Sequence, residues 1–286
     1  MDVKKAAKIV LGTAAAAGVS YGVWWLNWYH KYCKLKPYTL ANIKGTELEG
    51  TDIKLIAHRG YRAVAPENSL PAYEEAGKAG FWGAECDVYM TRDGVWIVHH
   101  DPFTHRVMDK DRFVELCTYD ELLEQNFKQG HNLEKYPNLK VCTLEDFFKT
   151  CKKYNMHAVI ELKHKGNQKH YDKIIELQKK YDVEADYIAF DFVDLVSMRK
   201  LTDADLYYLV YDIKDSQIKK ALTLENCGIS YDGDDKRNHA NNCEMIRKCH
   251  EAGLKTATWA VDDVETIKML YNAGTKYITT NAVTYE

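Results

Sequence analysis

The sequence predicts an α/β protein, a (β/α)8 TIM-type barrel preceded by an N-terminal transmembrane helix. Two observations predict the barrel. From Asp52 onward, short apolar runs alternate with amphipathic stretches, as a parallel sheet with outer helices requires. The alternation lasts about 230 residues, a typical length for eight closed units. A third observation predicts the helix: Ile9 to Tyr29 contains no charged residue.

A helix of that length spans about 31 Å at 1.5 Å per residue, enough to cross a bilayer. Lys4, Lys5 and Lys8 precede it, and His30, Lys31, Lys34 and Lys36 follow. Trp24, Trp25, Trp28 and Tyr29 gather at its C-terminal end like an interfacial aromatic belt. The apolar run passes through the tryptophans without a small-residue cleavage site, which favours an uncleaved single-pass anchor over a signal peptide. Basic residues flank both ends in similar number, so they do not fix orientation; the very short basic tail favours a cytoplasmic N-terminus and an extracytoplasmic domain. Residues 1–30 are therefore read as tail and anchor. Residues 31–52, polar and broken by Pro37, Gly45 and Gly50, are read as a juxtamembrane linker. Residues 53–286 form the barrel.

Within the barrel the predicted strands are Lys54–His58, Gly83–Val88, Val95–His99, Ala158–Leu162, Tyr187–Phe190, Leu206–Tyr211, Gly228–Tyr231, Lys255–Ala260 and Tyr277–Thr280. Nine is one too many. Gly83–Val88 and Val95–His99 are too close for a crossover helix, so they are read as a hairpin around Thr91-Arg92-Asp93-Gly94. Helical patterns include Leu70–Ala79, Leu144–Tyr154, Tyr171–Lys180, Asn242–Ala252 and Val264–Ala273. Gly80, Gly253 and Gly274 each follow an alanine at a helix end, as a left-handed cap requires. An open doubly wound sheet is disfavoured because no Gly-x-Gly-x-x-Gly follows the first strand.

The net charge of −3 excludes the basic footprint of a nucleic-acid binder. Eight cysteines without a Cys-x-x-Cys pair point to free thiols, with one bridge open if the domain faces an oxidising space, rather than to a zinc knuckle or a small disulfide scaffold. Function lies in five short pieces: His58-Arg59-Gly60, Pro66-Glu67-Asn68-Ser69, Glu85-Cys86-Asp87, His100-Asp101 and Glu161-Leu162-Lys163. Each polar group follows or ends an apolar strand, the end at which parallel barrels place their sites. Residues two apart share a strand face, so Glu85 projects with Asp87 and Glu161 with Lys163. Three converging carboxylates repel one another unless a hard cation sits among them, and oxygen donors favour Mg²⁺ or Ca²⁺ over zinc. A single Asp or Glu is ordinarily a surface charge; a set at strand ends is not. Two imidazoles near such a cation suit metal-assisted phosphodiester cleavage. His99 and His100 point to opposite faces, and parity alone does not choose between them.

From Ile56 to Asp101 the chain resembles the glycerophosphodiester phosphodiesterase family. His-Arg-Gly, Pro-Glu-Asn-Ser, Glu-x-Asp, Thr-x-Asp-Gly and His-Asp fall in order. The likeness continues through Thr143-Leu144-Glu145, Glu161-x-Lys163, Phe190, Trp259 and Thr279-Thr280-Asn281, and covers essentially residues 53–286. The family usually has Leu at Cys86, a position pointing away from the metal, and often Ser at Ala189, so no contact of that hydroxyl carries over. The resemblance implies a divalent cation on Glu85, Asp87 and Glu161, an acid–base pair of His58 and His100, and phosphoryl binding by Arg59 and Lys163. It also implies hydrolysis of glycerophosphodiesters to glycerol 3-phosphate and an alcohol. Glu67 either reaches the site or braces the loop before the Leu70 helix, and Trp259 either walls the pocket or packs in the barrel. The anchor motivates a lysophospholipid substrate as a variant, and a membrane-tethered diester-binding protein without turnover is the rival from another class.

Overall fold

The structure, a computed structural model, describes residues 35–163, 168–234 and 239–286. The anchor expected over Ile9–Tyr29 lies outside them. Among the described residues no helix is long and apolar enough to cross a membrane.

Eight parallel strands form the barrel: β2 (Lys54–Ala57), β3 (Gly83–Met90), β5 (His157–Leu162), β6 (Ala185–Ala189), β7 (Leu206–Val210), β8 (Cys227–Asp232), β9 (Thr256–Trp259) and β10 (Tyr277–Thr280). Each pairs with the next in chain order, and β2 closes the ring by pairing with both β3 and β10. The hairpin expectation holds: β4 (Trp96–Val98) returns antiparallel on β3, with Val88 opposite Val98.

Helices wrap the outside. The first, α1 (Leu70–Lys78), starts at Ser69, whose hydroxyl accepts from Ala72 N–H, with a proline in its first turn. After α2 (Tyr119–Leu123), α3 (Leu144–Tyr154) opens with a Thr143/Asp146 capping box and ends at Asn155 in the left-handed conformation. The remaining helices are α4 (Tyr171–Tyr181), α5 (Phe192–Arg199), α6 (Asp215–Ala221), α7 (His239–Glu251) and α8 (Val264–Ala273). Helix α5 was not singled out in the sequence because its pattern is blurred: Leu195 and Met198 are buried while Val193 and Val196 are exposed.

Two apolar layers follow from strand parity. Cys86, Val88, Ala158 and Ile160 face outward into the large core under the helices. Ile56, Val159, Ile188, Tyr207, Leu209 and Ala257 fill the barrel interior. A satellite core, with Ile97, Met108, Leu122 and Phe127 among its members, sits under the long insertion between β4 and α3. The seven described cysteines are free and mostly buried.

The boundary expected at residue 52 moves. Pro37–Glu286 is one compact unit. Strand β1 (Ala41–Asn42) pairs in parallel with β11 (Val283–Thr284), and Ile43, Leu48 and Ile53 are buried. Gly45 and Gly50, both at φ +74°, turn the chain tightly enough to bring those three side chains into the core. The same glycines interrupt the periodicity, so the segment reads as a linker in sequence. Leu48→Ala is expected to destabilise the protein by about 3 kcal/mol, as for a buried leucine. Chemical denaturation measures this, and a change below about 0.5 kcal/mol would return the segment to linker status.

Candidate active site

Register brings the acidic residues together. Parallel pairing of β3 with β5 sets Asp87 beside Glu161 and Glu85 beside Val159, so all three carboxylates point into the barrel near its C-terminal mouth. Each offers one oxygen, and those oxygens lie within 4.8 Å of one another. Cys86 between them points into the outer core, as expected. Burial, then the charges of Asp87 and Glu161, push the Glu85 carboxyl well above its ordinary range. Burial likewise moves Glu161 up to about 7, against the pull of Lys163. Asp87 goes the other way: burial opposes ionisation, but Lys163, His100 and Arg59 hold it well below the usual carboxylate range. A pocket of oxygen donors strained by mutual repulsion fits a divalent cation, which would remove the penalty that raises Glu85 and Glu161.

Fixed cations frame this cluster. The Lys163 ammonium lies 2.7 Å from Glu161 and 3.1 Å from Asp87. Arg59 sits at φ +57°, a costly backbone for a residue with a side chain. Its backbone N–H donates to Glu85 Oε2 at 2.9 Å, and its guanidinium lies 3.3 Å from Asp87. The next residue must be Gly60: at φ +76° a Cβ there would meet the Cβ of Ala72 at 2.6 Å. Glu67 does not join the acidic cluster. It is buried among Arg59 (2.9 Å), Arg62 (2.7 Å) and Arg106 (2.6 Å), so it braces the arginine, while the helix start belongs to Ser69.

Both histidines are held through Nδ1. His58 Nδ1 lies 2.8 Å from Asn281 Oδ1. The Asn281 amide is itself oriented, because its Nδ2 donates to Asp262 Oδ2 at 2.8 Å. An amide oxygen only accepts, so Nδ1 of His58 carries the proton and Nε2 is left for chemistry. His100 Nδ1 lies 2.8 Å from Asp101 Oδ1, and Arg106 Nε lies 2.5 Å from the other Asp101 oxygen. This settles parity: His99 is buried toward the Phe103 carbonyl, whereas His100 lies close enough to Asp87 for their charges to interact. Burial and then Arg59 lower His100 to about 4. Burial, Arg59 and Arg62 lower His58 well below its ordinary value.

Several site residues were not assigned roles in the sequence. Asn68 donates to Asp87 Oδ2 at 2.8 Å and accepts from the Tyr73 hydroxyl at 2.9 Å, which fixes the carboxylate rotamer. The Pro-Glu-Asn-Ser string contained it, but a helix start explained the asparagine equally well. Asp262, Arg62 and Arg106 had no local signal, because their partners are far away in sequence. Of the two readings of Trp259, the structure describes the packing. It packs on the interior cluster and meets the rings of Phe190 and Tyr211 at 5.7 and 5.8 Å at the mouth.

The chain is 35% identical over 136 residues to the uncharacterized protein YqiK of Bacillus subtilis, covering 46% of this chain and 54% of that one. It is 30% identical over 187 residues to human glycerophosphodiester phosphodiesterase 1, covering 64% of this chain and 53% of that protein. The chain thus spans about half the length of these two curated relatives. A glycerophosphodiester phosphodiesterase of Caldanaerobacter subterraneus subsp. tengcongensis is 27% identical over 238 residues, 79% of this chain and 93% of that one. Among solved structures, an Oleispira antarctica phosphodiesterase in complex with sn-glycerol-3-phosphate shares the fold. The TM-score is 0.72 at 24% identity, over 80% of this chain and 93% of that one. The model of the glycerophosphoryl diester phosphodiesterase family matches residues 58–284, from the first site histidine past the last strand of the barrel, and the chain belongs to that family.

Proposed function

We propose that the barrel hydrolyses glycerophosphodiesters to sn-glycerol 3-phosphate and an alcohol. Glu85, Asp87 and Glu161 hold a divalent cation, Mg²⁺ or Ca²⁺, and His58 and His100 act as acid and base. The observation that carries this reading is the convergence of three carboxylate oxygens within 4.8 Å, framed by two cationic side chains and by two imidazoles held through Nδ1. When bound, the cation supplies Lewis-acid polarisation of a phosphoryl oxygen.

The chain's own residues supply the rest. Arg59 and Lys163 provide fixed positive charge for the non-bridging oxygens, preorganised by Glu67 and by the carboxylates themselves. The imidazoles differ in their supports: Asn281 is neutral, whereas Asp101 is an anion. A carboxylate on Nδ1 stabilises an imidazolium, so His100 suits the acid and His58, supported by an amide, suits the base. In the first step His58 takes the proton of the glycerol hydroxyl next to the phosphate. That oxygen bonds to phosphorus while the P–O bond to the alcohol breaks, and His100 protonates the departing oxygen. Water then opens the cyclic phosphodiester with the proton transfers reversed, so one water is consumed overall. At rest both imidazoles are neutral; the arriving phosphoryl anion, added to Asp101, draws a proton onto His100.

Incubation of the purified chain with glycerophosphocholine should release glycerol 3-phosphate. Chelator should abolish turnover, with restoration by Mg²⁺ or Ca²⁺. His58→Ala and His100→Ala should each lower kcat by about two to four orders of magnitude; undiminished activity in both variants and in chelator would overturn the reading. The acid assignment predicts an asymmetry. With a glycerol nitrophenyl phosphodiester, whose leaving group needs no proton, His100→Ala should lose at least about tenfold less activity than with the choline diester, while His58→Ala loses as much with either. Equal losses for both variants on both substrates would remove the assignment. Because both imidazoles titrate below 6.5, a neutral base persists into mildly acid solution. The acid-side fall of kcat/KM should therefore begin below pH 6, and a fall centred at 6.5 or above would contradict the site's electrostatics.

A further inference from the structure

The mouth of the barrel has two unlike halves. Strands β2, β3 and β5 bring the charged cluster. The C-terminal ends of β6, β7 and β9 bring Phe190, Tyr211 and Trp259, whose rings contact one another pairwise at 5.5 to 5.8 Å. Among the described residues this aromatic half is exposed: Phe190 is 40% and Tyr211 67% exposed, and the adjoining first turn of α5 adds Val193 at 59%. Clustered apolar side chains at one end of a soluble surface mark an interaction site.

A second observation says what covers it. The polypeptide reaches the barrel at the mouth, not at the foot. The Tyr38 ring lies 5.3 Å from that of His131, tilted by 52°, and 5.7 Å from the guanidinium of Arg62, which pairs with Glu67. From there β1 descends alongside β11 toward the foot, where the Tyr285 hydroxyl accepts from Leu55 N–H. The uncharged run Ile9–Tyr29 ends nine residues before Tyr38, a stretch that reaches at most about 32 Å when fully extended. In sequence, an uncharged run long enough for a bilayer is thus joined through nine residues to Tyr38, where the described chain meets the mouth.

We infer that the barrel mouth is the face that meets the lipid bilayer, with Tyr211 and Val193 in contact with the lipid and the site open toward it. The inference deepens the catalytic reading, on which it rests for its use: the phosphodiester is drawn from a lipid surface. For a lysophospholipid, one water is consumed as the P–O bond to choline breaks, leaving choline and a lysophosphatidate.

The test uses the full chain reconstituted in phosphatidylcholine vesicles. Choline release is followed from dissolved glycerophosphocholine and from lysophosphatidylcholine in the bilayer. Val193→Asp combined with Tyr211→Asp should cut release from the lysolipid at least tenfold and leave the dissolved diester within twofold. An unchanged lysolipid rate, or equal losses on both substrates, would overturn the inference. A readout without turnover separates the two readings. In vesicles of brominated phosphatidylcholine, the tryptophan added by Tyr211→Trp should be quenched. That added by Leu222→Trp, 50% exposed at the foot-side end of α6, should not. Equal quenching at both positions, or none at 211, would refute docking by the mouth, including the case in which a second copy of the chain covers it. Failure of the wild type on both substrates would sink the catalytic reading alone, leaving the quenching to decide the docking.

Discussion

The barrel mouth is organised around the cost of burying negative charge. Glu85, Asp87 and Glu161 sit within 4.8 Å of one another in the barrel interior, where unpaired carboxylates are expensive. Lys163 and Arg59 relieve Asp87 but leave Glu85 and Glu161 hard to ionise. The unbalanced part of that charge is what makes the site receptive to a divalent cation. The same constraint accounts for features that look unrelated to it. Arg59 accepts an unfavourable backbone conformation because its N–H then reaches Glu85, and Gly60 lets the chain pass Ala72 immediately afterwards.

Holding the cations in place requires further ionic contacts. Glu67 lies under three guanidiniums, and Arg106 reaches from Glu67 to Asp101 and so to His100. Arg106 belongs to the insertion between β4 and α3, whose small core of Met108, Leu122 and Phe127 anchors it. The insertion therefore has a chemical purpose: it positions one imidazole. Its counterpart on the other side is the β10 end, where Asp262 and Asn281 orient His58. Two supports of different charge make two equivalent side chains chemically different, and this difference underlies the proposed division into acid and base. Removing one member of such a buried network leaves its partner uncompensated, which ordinarily costs about 3–5 kcal/mol.

How much was legible in advance depended on range. Strand and helix alternation is local, and the barrel, the β3–β4 hairpin and the glycine caps could be read from it. The carboxylates could be read because period-two parity puts Glu85 and Asp87 on one face whatever the fold. Short helices with mixed faces, such as α5, and the docked segment Ala41–Ile53 could not, because exposed valines and paired glycines erase the pattern that packing later justifies. Free, mostly buried cysteines among the described residues agree with the spacing argument.

The amino-acid sequence by itself determined the repeating unit, which residues share a face of each strand and the chemical types at the strand ends. Those depend on neighbours two to four residues away. Tertiary structure alone decided that Asp87 stands beside Glu161, that Glu67 braces arginines instead of joining the acids, that His100 rather than His99 turns to the site, and that the chain arrives at the mouth through Tyr38. Each of these is a contact between segments distant in sequence. Parallel pairing of β3 with β5 sets register between strands roughly seventy residues apart, and closing the ring brings residue 281 back to residue 58; no local pattern encodes such pairings.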